Sequence, residues 1–264
     1  MSKENTAVTK KKIKRCKEDV VFDAACFIIL TLVLFVVAYP LYWVIISSIS
    51  APSAVSSGKV LLHPIGFTLK GYAEVFKNDQ VMRGFLNSLI ITFCGVMVNL
   101  IVTLPTSYAL SRSNFSGKKP ITIFYLITMF FGGGLIPTYL VIQRLQMLNT
   151  IWALILPGCL SVYNMIVART FFKSNISEEL YEAAEIDGCT QARFFFQIAL
   201  PLSKAIIAIL VLYYGVGHWN SYFSALVYIS DKAKYPLQLV LRNILITNQT
   251  ALSQTATTAA ARAA

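Results

Sequence analysis

Charged residues, and acidic ones above all, are scarce in this chain of 264 residues. Only 13% of the residues are charged, and the 12 Asp and Glu are outnumbered by 23 Lys and Arg. A soluble domain carries roughly a quarter charged residues, whereas 56% of this chain is hydrophobic. The composition excludes an ordinary soluble domain and indicates an integral membrane protein.

The net charge of +11 would suggest nucleic-acid binding in a soluble protein. Here the basic residues cluster in the first 19 residues and in loops beside the hydrophobic runs. An anionic membrane lipid surface explains that distribution better than nucleic acid does. We therefore expect a lipid partner and no nucleic-acid partner.

The patterns of metal sites, disulfide frameworks and nucleotide sites are also missing. None of the five cysteines forms a Cys-x-x-Cys pair, which favours small apolar fillers. They are Cys16, Cys26, Cys94, Cys159 and Cys189. His63 and His218 lack ligand spacing, and the glycines at 132–134 are not followed by Lys-Ser or Lys-Thr. We expect no metal, no cofactor and no catalytic site, so the chain is not itself an ATPase.

Long uncharged runs are what the sequence has instead. Residues 1–19 form a basic tail, which we predict to be cytoplasmic because positive charge stays inside. The run that follows is too long for a signal peptide, and we assign residues 20–49 to a first transmembrane helix. Runs of 18 residues or more approach the length that crosses about 30 Å of hydrocarbon. Such runs occupy residues 24–46, 85–110, 120–142, 151–168 and 205–229.

Polar residues within these runs are candidates for a substrate pathway. They are Asn87, Asn99, Tyr213, Tyr214, His218, Trp219 and Asn220. The alternative for the two asparagines is hydrogen bonding between helices, which the sequence favours. For the aromatic group the alternative is packing or an outer membrane interface, again the favoured interpretation.

The stretch 178–201 interrupts the hydrophobic runs and is unusually acidic. Ser177 can cap a short helix with Glu178 and Glu179 in its first turn. Leu180, Ala183, Ala184 and Asp187 then share one side at three- and four-residue spacing. Gly188 suits the left-handed position that ends such a helix. A second helix is predicted over 190–200, and Pro201 can open the next one.

The same stretch carries a long motif with fixed gaps. Glu182-Ala183-Ala184 is followed by Gly188 after three residues, and Ile198, Leu200 and Pro201 follow after nine more. This pattern resembles the EAA signature of inner-membrane permease subunits of ABC importers at every defined position. The resemblance implies an all-α, type I (MetI-like) helical bundle with a permease core over residues 84–247. It also implies that residues 177–201 form the loop that couples to an ATPase, through Glu182, Ala183, Ala184, Asp187, Gly188, Ile198, Leu200 and Pro201.

Three further segments resemble the carbohydrate-uptake branch of these importers, and within it permeases of the LplC and YtcP type. They are NTIWALILPG at 149–158, YNMIVARTFF at 163–172 and VGHWNSYFSALVYI at 216–229. The resemblance implies a multi-pass subunit of the bacterial inner membrane that imports oligosaccharides. The implied partners are a second, different permease, a cytoplasmic ATPase dimer and an external solute-binding protein.

The C-terminal region departs from that family pattern. Such permeases usually have six spans, but residues 248–264 are rich in Ala and Thr and contain no apolar run of about 20 residues. We therefore count five spans and an atypical tail. The alternatives left open are a truncated fragment or scaffold that does not transport, and a channel or secondary transporter that works without an ATPase.

Overall fold

The computed structural model describes the backbone of residues 17–263 and the side chains of residues 18–250. The predicted basic tail lies outside the described residues except for 17–19, and Cys16 lies outside them too. The described backbone is helical and contains no strand, which confirms the all-α prediction. The α-helices are α1 (Lys17–Ser48), α2 (Pro52–Ser56), α3 (Lys70–Lys77), α4 (Asp79–Ser111), α5 (Lys118–Phe130), α6 (Leu135–Arg144), α7 (Trp152–Ile155), α8 (Val162–Asn175), α9 (Glu178–Ile186), α10 (Gln191–Phe194), α11 (Leu200–Leu202), α12 (Lys204–Trp219), α13 (Tyr222–Tyr228) and α14 (Leu237–Ala263).

The chain divides into two compact units, Met1–Lys77 and Asn78–Ala264. In the first unit, α1 is 32 residues long and its apolar side chains are almost all exposed. Its aromatic residues hold the segment that follows. Tyr42 Oη and Trp43 Nε1 donate hydrogen bonds to the carbonyls of Leu62 and Val60, at 2.6 and 2.8 Å. These hydrogen bonds thus hold the following segment against this end of α1, and the same aromatic residues are candidates for an aromatic belt at the membrane interface.

The second unit is built around α4, which packs against α8, α12 and α14. Asn78 caps its start by accepting hydrogen bonds from the N–H groups of Gln80 and Val81. The helix continues through Pro105, where the sequence predicts a kink or a local opening. Two apolar clusters lie along it. One includes Ile91, Leu154 and Leu239, and the other includes Tyr108, Phe172 and Phe194.

Three of the predicted spans are broken helices. The run 120–142 bends by 114° between α5 and α6, and 151–168 becomes two helices bent by 52° that continue to Asn175. The third pair, Gln191–Leu202 and Lys204–Trp219, bends by 80°. Among the described residues, two helices can cross a membrane by length and composition, or five if each bent pair is one span. That upper number agrees with the predicted five.

The glycines at 132–134 explain the sharpest bend. Gly134 has φ +84°, a left-handed conformation that favours glycine. A Cβ placed on Gly132 or Gly134 would meet nothing within 4 Å. The structure thus places a break in the helix here, with no close neighbour around Gly132 or Gly134.

The run 205–229 and the C-terminal tail also differ from their predicted form. The run is split, because α12 ends at Trp219 and α13 begins at Tyr222. The backbone of the tail continues α14 to Ala263, giving a helix of 27 residues or about 40 Å. This helix is long enough to cross a bilayer, yet it is not one of the candidate spans because its composition is too polar.

Candidate functional site

The first short helix of the loop, α9, is capped at both ends. Ser177 Oγ accepts a hydrogen bond from the Leu180 N–H at 3.3 Å. At the other end, the N–H groups of Gly188 and Cys189 donate to the carbonyls of Glu185 and Ala184 at 3.0 and 2.9 Å. This is a Schellman motif, which places Gly188 at φ +75°. The predicted cap and the predicted glycine bend are both confirmed.

The side of α9 that faces the rest of the chain is centred on Tyr181. Tyr181 is the buried residue of this helix and Ala184 is half-buried, whereas Leu180, Ala183 and Asp187 are exposed. The predicted side of Leu180, Ala183, Ala184 and Asp187 is thus open except at Ala184, and its role stays a prediction. The aromatic ring of Tyr181 directs the packing, because it meets Phe194 edge to face with 5.3 Å between centroids.

The opposite side of α9 is uncovered by the part of the chain that the structure describes. Glu182, Ala183, Glu185 and Asp187 are all exposed, and Ile186 is 87% exposed. A Cβ on Gly188 would also meet nothing within 4 Å. This side of α9 is therefore open to solvent and acidic.

The second part of the loop is helical from Gln191 to Leu202 but is not one regular α-helix. Thr190 caps it through the Arg193 N–H at 3.4 Å, and residues Phe195–Ala199 form a π-helical turn. The wider turn buries Phe194 and Phe195 while Phe196 is exposed. Pro201 is exposed within α11, and the next helix begins only at Lys204, so the prediction that Pro201 opens it is wrong. Ile198 and Leu200 are half-buried and pack against the cluster of Tyr108 and Phe172.

Arg112, the residue that follows α4, lies beneath α9. Its guanidinium carbon is 4.6 Å from the ring centroid of Tyr181, 5.6 Å from that of Tyr108 and 5.9 Å from that of Phe194. Its Nη2 lies 3.5 Å from Glu178 Oε2, and Ser113 Oγ donates a hydrogen bond to the same carboxylate. From the sequence alone, Arg112 is only a basic residue in the loop after α4, because nothing in its local pattern connects it to Glu178, which lies 66 residues later.

A cavity of about 340 Å³ lies between the end of α4 and the two short helices of the loop. Its walls are mainly apolar and include Tyr108, Ala109, Gln191 and Phe195, while Arg112 and Glu178 also line it. The underside of α9 is thus held by a few contacts around an open space.

Deeper along α4, polar side chains form two parallel links to α12. Asn99 Oδ1 and His218 Nε2 are 2.8 Å apart, and Thr103 Oγ1 and Tyr214 Oη are 2.7 Å apart. The partners are four residues apart on each helix, so the links lie one turn from each other. We call these four residues the polar clamp.

The polar clamp also contacts the break between α7 and α8. Asn99 Nδ2 donates to the carbonyl of Gly158 at 2.8 Å, and the N–H of Ser161 donates to Tyr214 Oη at 3.2 Å. Because Asn99 presents Nδ2 to a carbonyl, its Oδ1 faces His218, and His218 Nε2 must carry the proton in this arrangement. The clamp therefore satisfies backbone groups that the broken helix leaves free.

The remaining predicted pathway residues are dispersed. Asn87 Nδ2 donates to the carbonyls of Ala233 and Tyr235 at 2.8 and 3.1 Å, and Trp219 packs edge to face on Phe85. Tyr213 and Asn220 are exposed. Hydrogen bonding between segments, the favoured alternative for the two asparagines, is what Asn87 and Asn99 do here.

Among the described residues no group of three or more His, Cys, Asp or Glu side chains could hold a metal ion. The distinctive features of the structure are therefore a helical bundle with broken spans, a polar clamp inside it and a capped, exposed helix pair on one loop. Such an arrangement defines a polytopic helical membrane protein with an exposed loop.

Comparison with known proteins identifies the class. The chain is 38% identical over 225 residues to the polygalacturonan/rhamnogalacturonan transport system permease protein YtcP of Bacillus subtilis, covering 85% of this chain and 78% of that protein. It is 39% identical over 226 residues to protein LplC of the same organism, covering 86% and 76%. No family model matches the sequence.

A solved structure agrees with these relatives. A chain of a bacterial ABC transporter that imports the acidic polysaccharide alginate superposes with a TM-score of 0.82 at 28% identity, covering 88% of this chain and 82% of that one. This chain belongs to the sugar-transport permease subunits of ABC importers. It is a multi-pass protein of the bacterial inner membrane and a transport subunit, not an enzyme.

Proposed function

We propose that this chain is one of two different membrane subunits of an ATP-driven oligosaccharide importer, and that residues 177–201 couple it to the ATPase. In this mechanism the cytoplasmic ATPase dimer grips α9 in a groove and closes as it binds ATP. Rigid-body motion of the spans then alternates access to a central cavity. The remaining partners are the second permease and an external solute-binding protein.

The observation that carries the proposal is the contrast between the two sides of α9. Its outer side is exposed, whereas Tyr181 and Ala184 face the aromatic cluster of the same chain. A helix held on one side and free on the other can accept a partner without losing its own position. Glu182 would contact polar or basic groups of the groove, and Ala183 would allow close approach.

The other residues of the motif shape the loop around α9. Asp187 and Gly188 make the bend, and Ile198 and Leu200 pack inward so that the second helix follows the first. Pro201 is exposed, and Ala184 packs against the aromatic cluster. A substrate pathway through Tyr213, Tyr214, His218, Trp219, Asn220, Asn87 and Asn99 stays a prediction, because four of these side chains already hold neighbouring segments together.

The substrate class follows from the relatives. One is named for polygalacturonan and rhamnogalacturonan, another for galactooligosaccharides, and the solved structure is an alginate importer. Uptake of homogalacturonan oligosaccharides and of galactooligosaccharides by a deletion strain carrying this chain would test the class. Uptake of neither would contradict the oligosaccharide assignment.

Co-purification with the ATPase tests the coupling loop. The tagged chain is expressed with the second permease and the ATPase of the same host, as wild type and as Gly188→Asp. The substitution adds a charged side chain to the proposed docking surface at a left-handed position. We expect retained ATPase to fall about fivefold or more, which corresponds to roughly 1 kcal/mol of lost interface energy.

Gly58→Asp is the matched control. Gly58 also has a positive φ, of +68°, and open space around its Cβ position, but it lies outside the proposed loop. The control should retain the ATPase at the wild-type level. Equal retention by wild type and Gly188→Asp, with both inserted in the membrane, would contradict the docking role of the loop.

A further inference from the structure

The contacts of Arg112 suggest a role that the motif does not contain. Its side chain is only 11% exposed and lies among the rings of Tyr108, Tyr181 and Phe194. A guanidinium within about 6 Å of aromatic centroids is held by attraction to their faces. The three rings come from the end of α4, from α9 and from α10, so a single cation joins three segments.

The charge of Arg112 also selects one end of α9. Glu178 is the first residue of that helix, and its carboxylate forms an ionic contact with the Arg112 guanidinium and accepts a hydrogen bond from the Ser113 hydroxyl. A carboxylate in the first turn also satisfies the helix dipole. The N-terminal end of α9 is therefore attached to the residues that end α4, by an ionic contact and by the ring of Tyr181.

Because α9 is packed loosely against the rest of the chain, this attachment is needed to hold the helix in position. Tyr181 is the one buried residue of α9, and the cavity of about 340 Å³ leaves space between the loop and α4. A short helix above an open space can tilt about its glycine bend when a partner moves it. Arg112 and Glu178 line that cavity and connect its two sides.

We propose that Arg112 is a positioning residue that transmits motion from α9 to α4. Force applied to the outer face of α9 passes through Glu178, Tyr181 and Arg112 into the end of α4, which continues to the polar clamp. Without the guanidinium, α9 moves over the cavity and the spans do not follow. This inference rests on the proposed coupling role of residues 177–201.

The test compares how α9 and α4 respond to nucleotide in the assembled complex. Hydrogen exchange is measured over residues 178–186 and 106–112, with ADP and with Mg-ATP trapped by vanadate, in wild type and Arg112→Gln. In wild type both segments should change between the two states. In Arg112→Gln the response of 178–186 should remain, while that of 106–112 falls about fivefold or more, the lower end of typical coupling between sites.

Three further variants separate the alternatives. Arg112→Lys keeps the charge but loses the planar fork, so it should restore only part of the response. Glu178→Gln leaves the ring contacts in place and should weaken the response by less than Arg112→Gln does. Lys119→Gln removes an exposed cation from the first turn of α5 and should behave as wild type.

Each outcome decides the inference. A normal response of 106–112 in both Arg112→Gln and Glu178→Gln would overturn it. If Arg112→Gln loses the ATPase or exchanges faster everywhere, Arg112 is needed for folding, and Glu178→Gln alone then decides. If wild type retains no ATPase, the proposed function itself fails, which is a different result from a failure of Arg112.

Discussion

Arg112 at the end of α4 and the polar clamp farther along it both attach other segments to this helix, but they use different chemistry. At Arg112 a cation binds three aromatic rings and one carboxylate, whereas the polar clamp uses only neutral amide, hydroxyl and imidazole groups. Placing a charged side chain at the end of a spanning helix raises the free energy little, but placing it farther inside the span raises it much more. Inside the span, neutral polar groups instead form hydrogen bonds with backbone groups that lack a helical partner.

The two regions also differ in how firmly they are packed. The loop lies over a cavity of about 340 Å³, whereas Gly95 lets the clamp close until no space remains between α4 and α12. We infer that the clamp fixes the bundle and that the loop contact transmits movement. Substitutions in the clamp should therefore change stability, and those at Arg112 should change coupling.

The largest expected effect on stability is at Gly95. A Cβ there would lie 2.5 Å from His218 Nε2, so Gly95→Ala must displace the imidazole and break its bond to Asn99. Overpacking of this kind typically costs about 1–3 kcal/mol. We expect a clearly lower thermal unfolding midpoint for the purified complex in detergent.

Gly217→Ala is the control for that substitution. Gly217 lies in α12, one residue before His218, and a Cβ there meets nothing within 4 Å. Alanine favours the helix over glycine, so this variant should be as stable as wild type or slightly more stable. If Gly95→Ala is equally harmless, the close contact between Gly95 and His218 is not part of the folded bundle.

A middle-sized effect is expected for Asn99→Ala. The substitution leaves the Gly158 carbonyl and the His218 N–H without their partner, at a break where no helical hydrogen bond replaces it. Interhelical hydrogen bonds in membranes average about 0.6 kcal/mol with a maximum near 1.7, and Asn99 makes two. We expect a loss of about 1–2 kcal/mol in an unfolding titration with denaturing detergent.

Asn220→Ala is the matched control for Asn99→Ala. Its amide is exposed and bonds only the Val216 carbonyl of its own helix. This variant should unfold as wild type does. Equal losses for Asn99→Ala and Asn220→Ala would show that the clamp does not hold the broken span.

The sequence predicts the elements better than the connections between them. The apolar runs, the Ser177 cap and the Gly188 bend are local patterns, and all three are present. The breaks at 131–134, 159–161 and 220–221 were missed, because uncharged composition continues through them, whereas the break at 203 lies two residues from the predicted helix start at Pro201. Backbone groups freed at a break are satisfied by distant residues, as Gly158 is by Asn99, and periodicity carries no information about such pairs.

The same limit explains Tyr181 and Arg112. Helical spacing predicts which residues of α9 share a side, but the position of this helix is set by a ring that contacts Phe194 and a guanidinium from another loop. An arginine after a long apolar helix fits the positive-inside rule, so its presence is explained without any specific contact. The ion pair of Arg112 and Glu178 could be predicted from sequence only if its acid and base stood at a fixed, recognisable spacing, which they do not.

The smallest effect, and the sharpest comparison, concerns Tyr214. Its hydroxyl bonds Thr103 Oγ1 and the Ser161 N–H, and Tyr214→Phe removes that oxygen while leaving the buried ring in place. The two hydrogen bonds average about 0.6 kcal/mol each, so the loss should be about 1 kcal/mol. Tyr213→Phe changes an exposed ring on the next residue and should have no effect on unfolding. If both variants unfold alike but Tyr214→Phe alone impairs uptake of the oligosaccharide probe, Tyr214 belongs to the substrate pathway and not to the clamp.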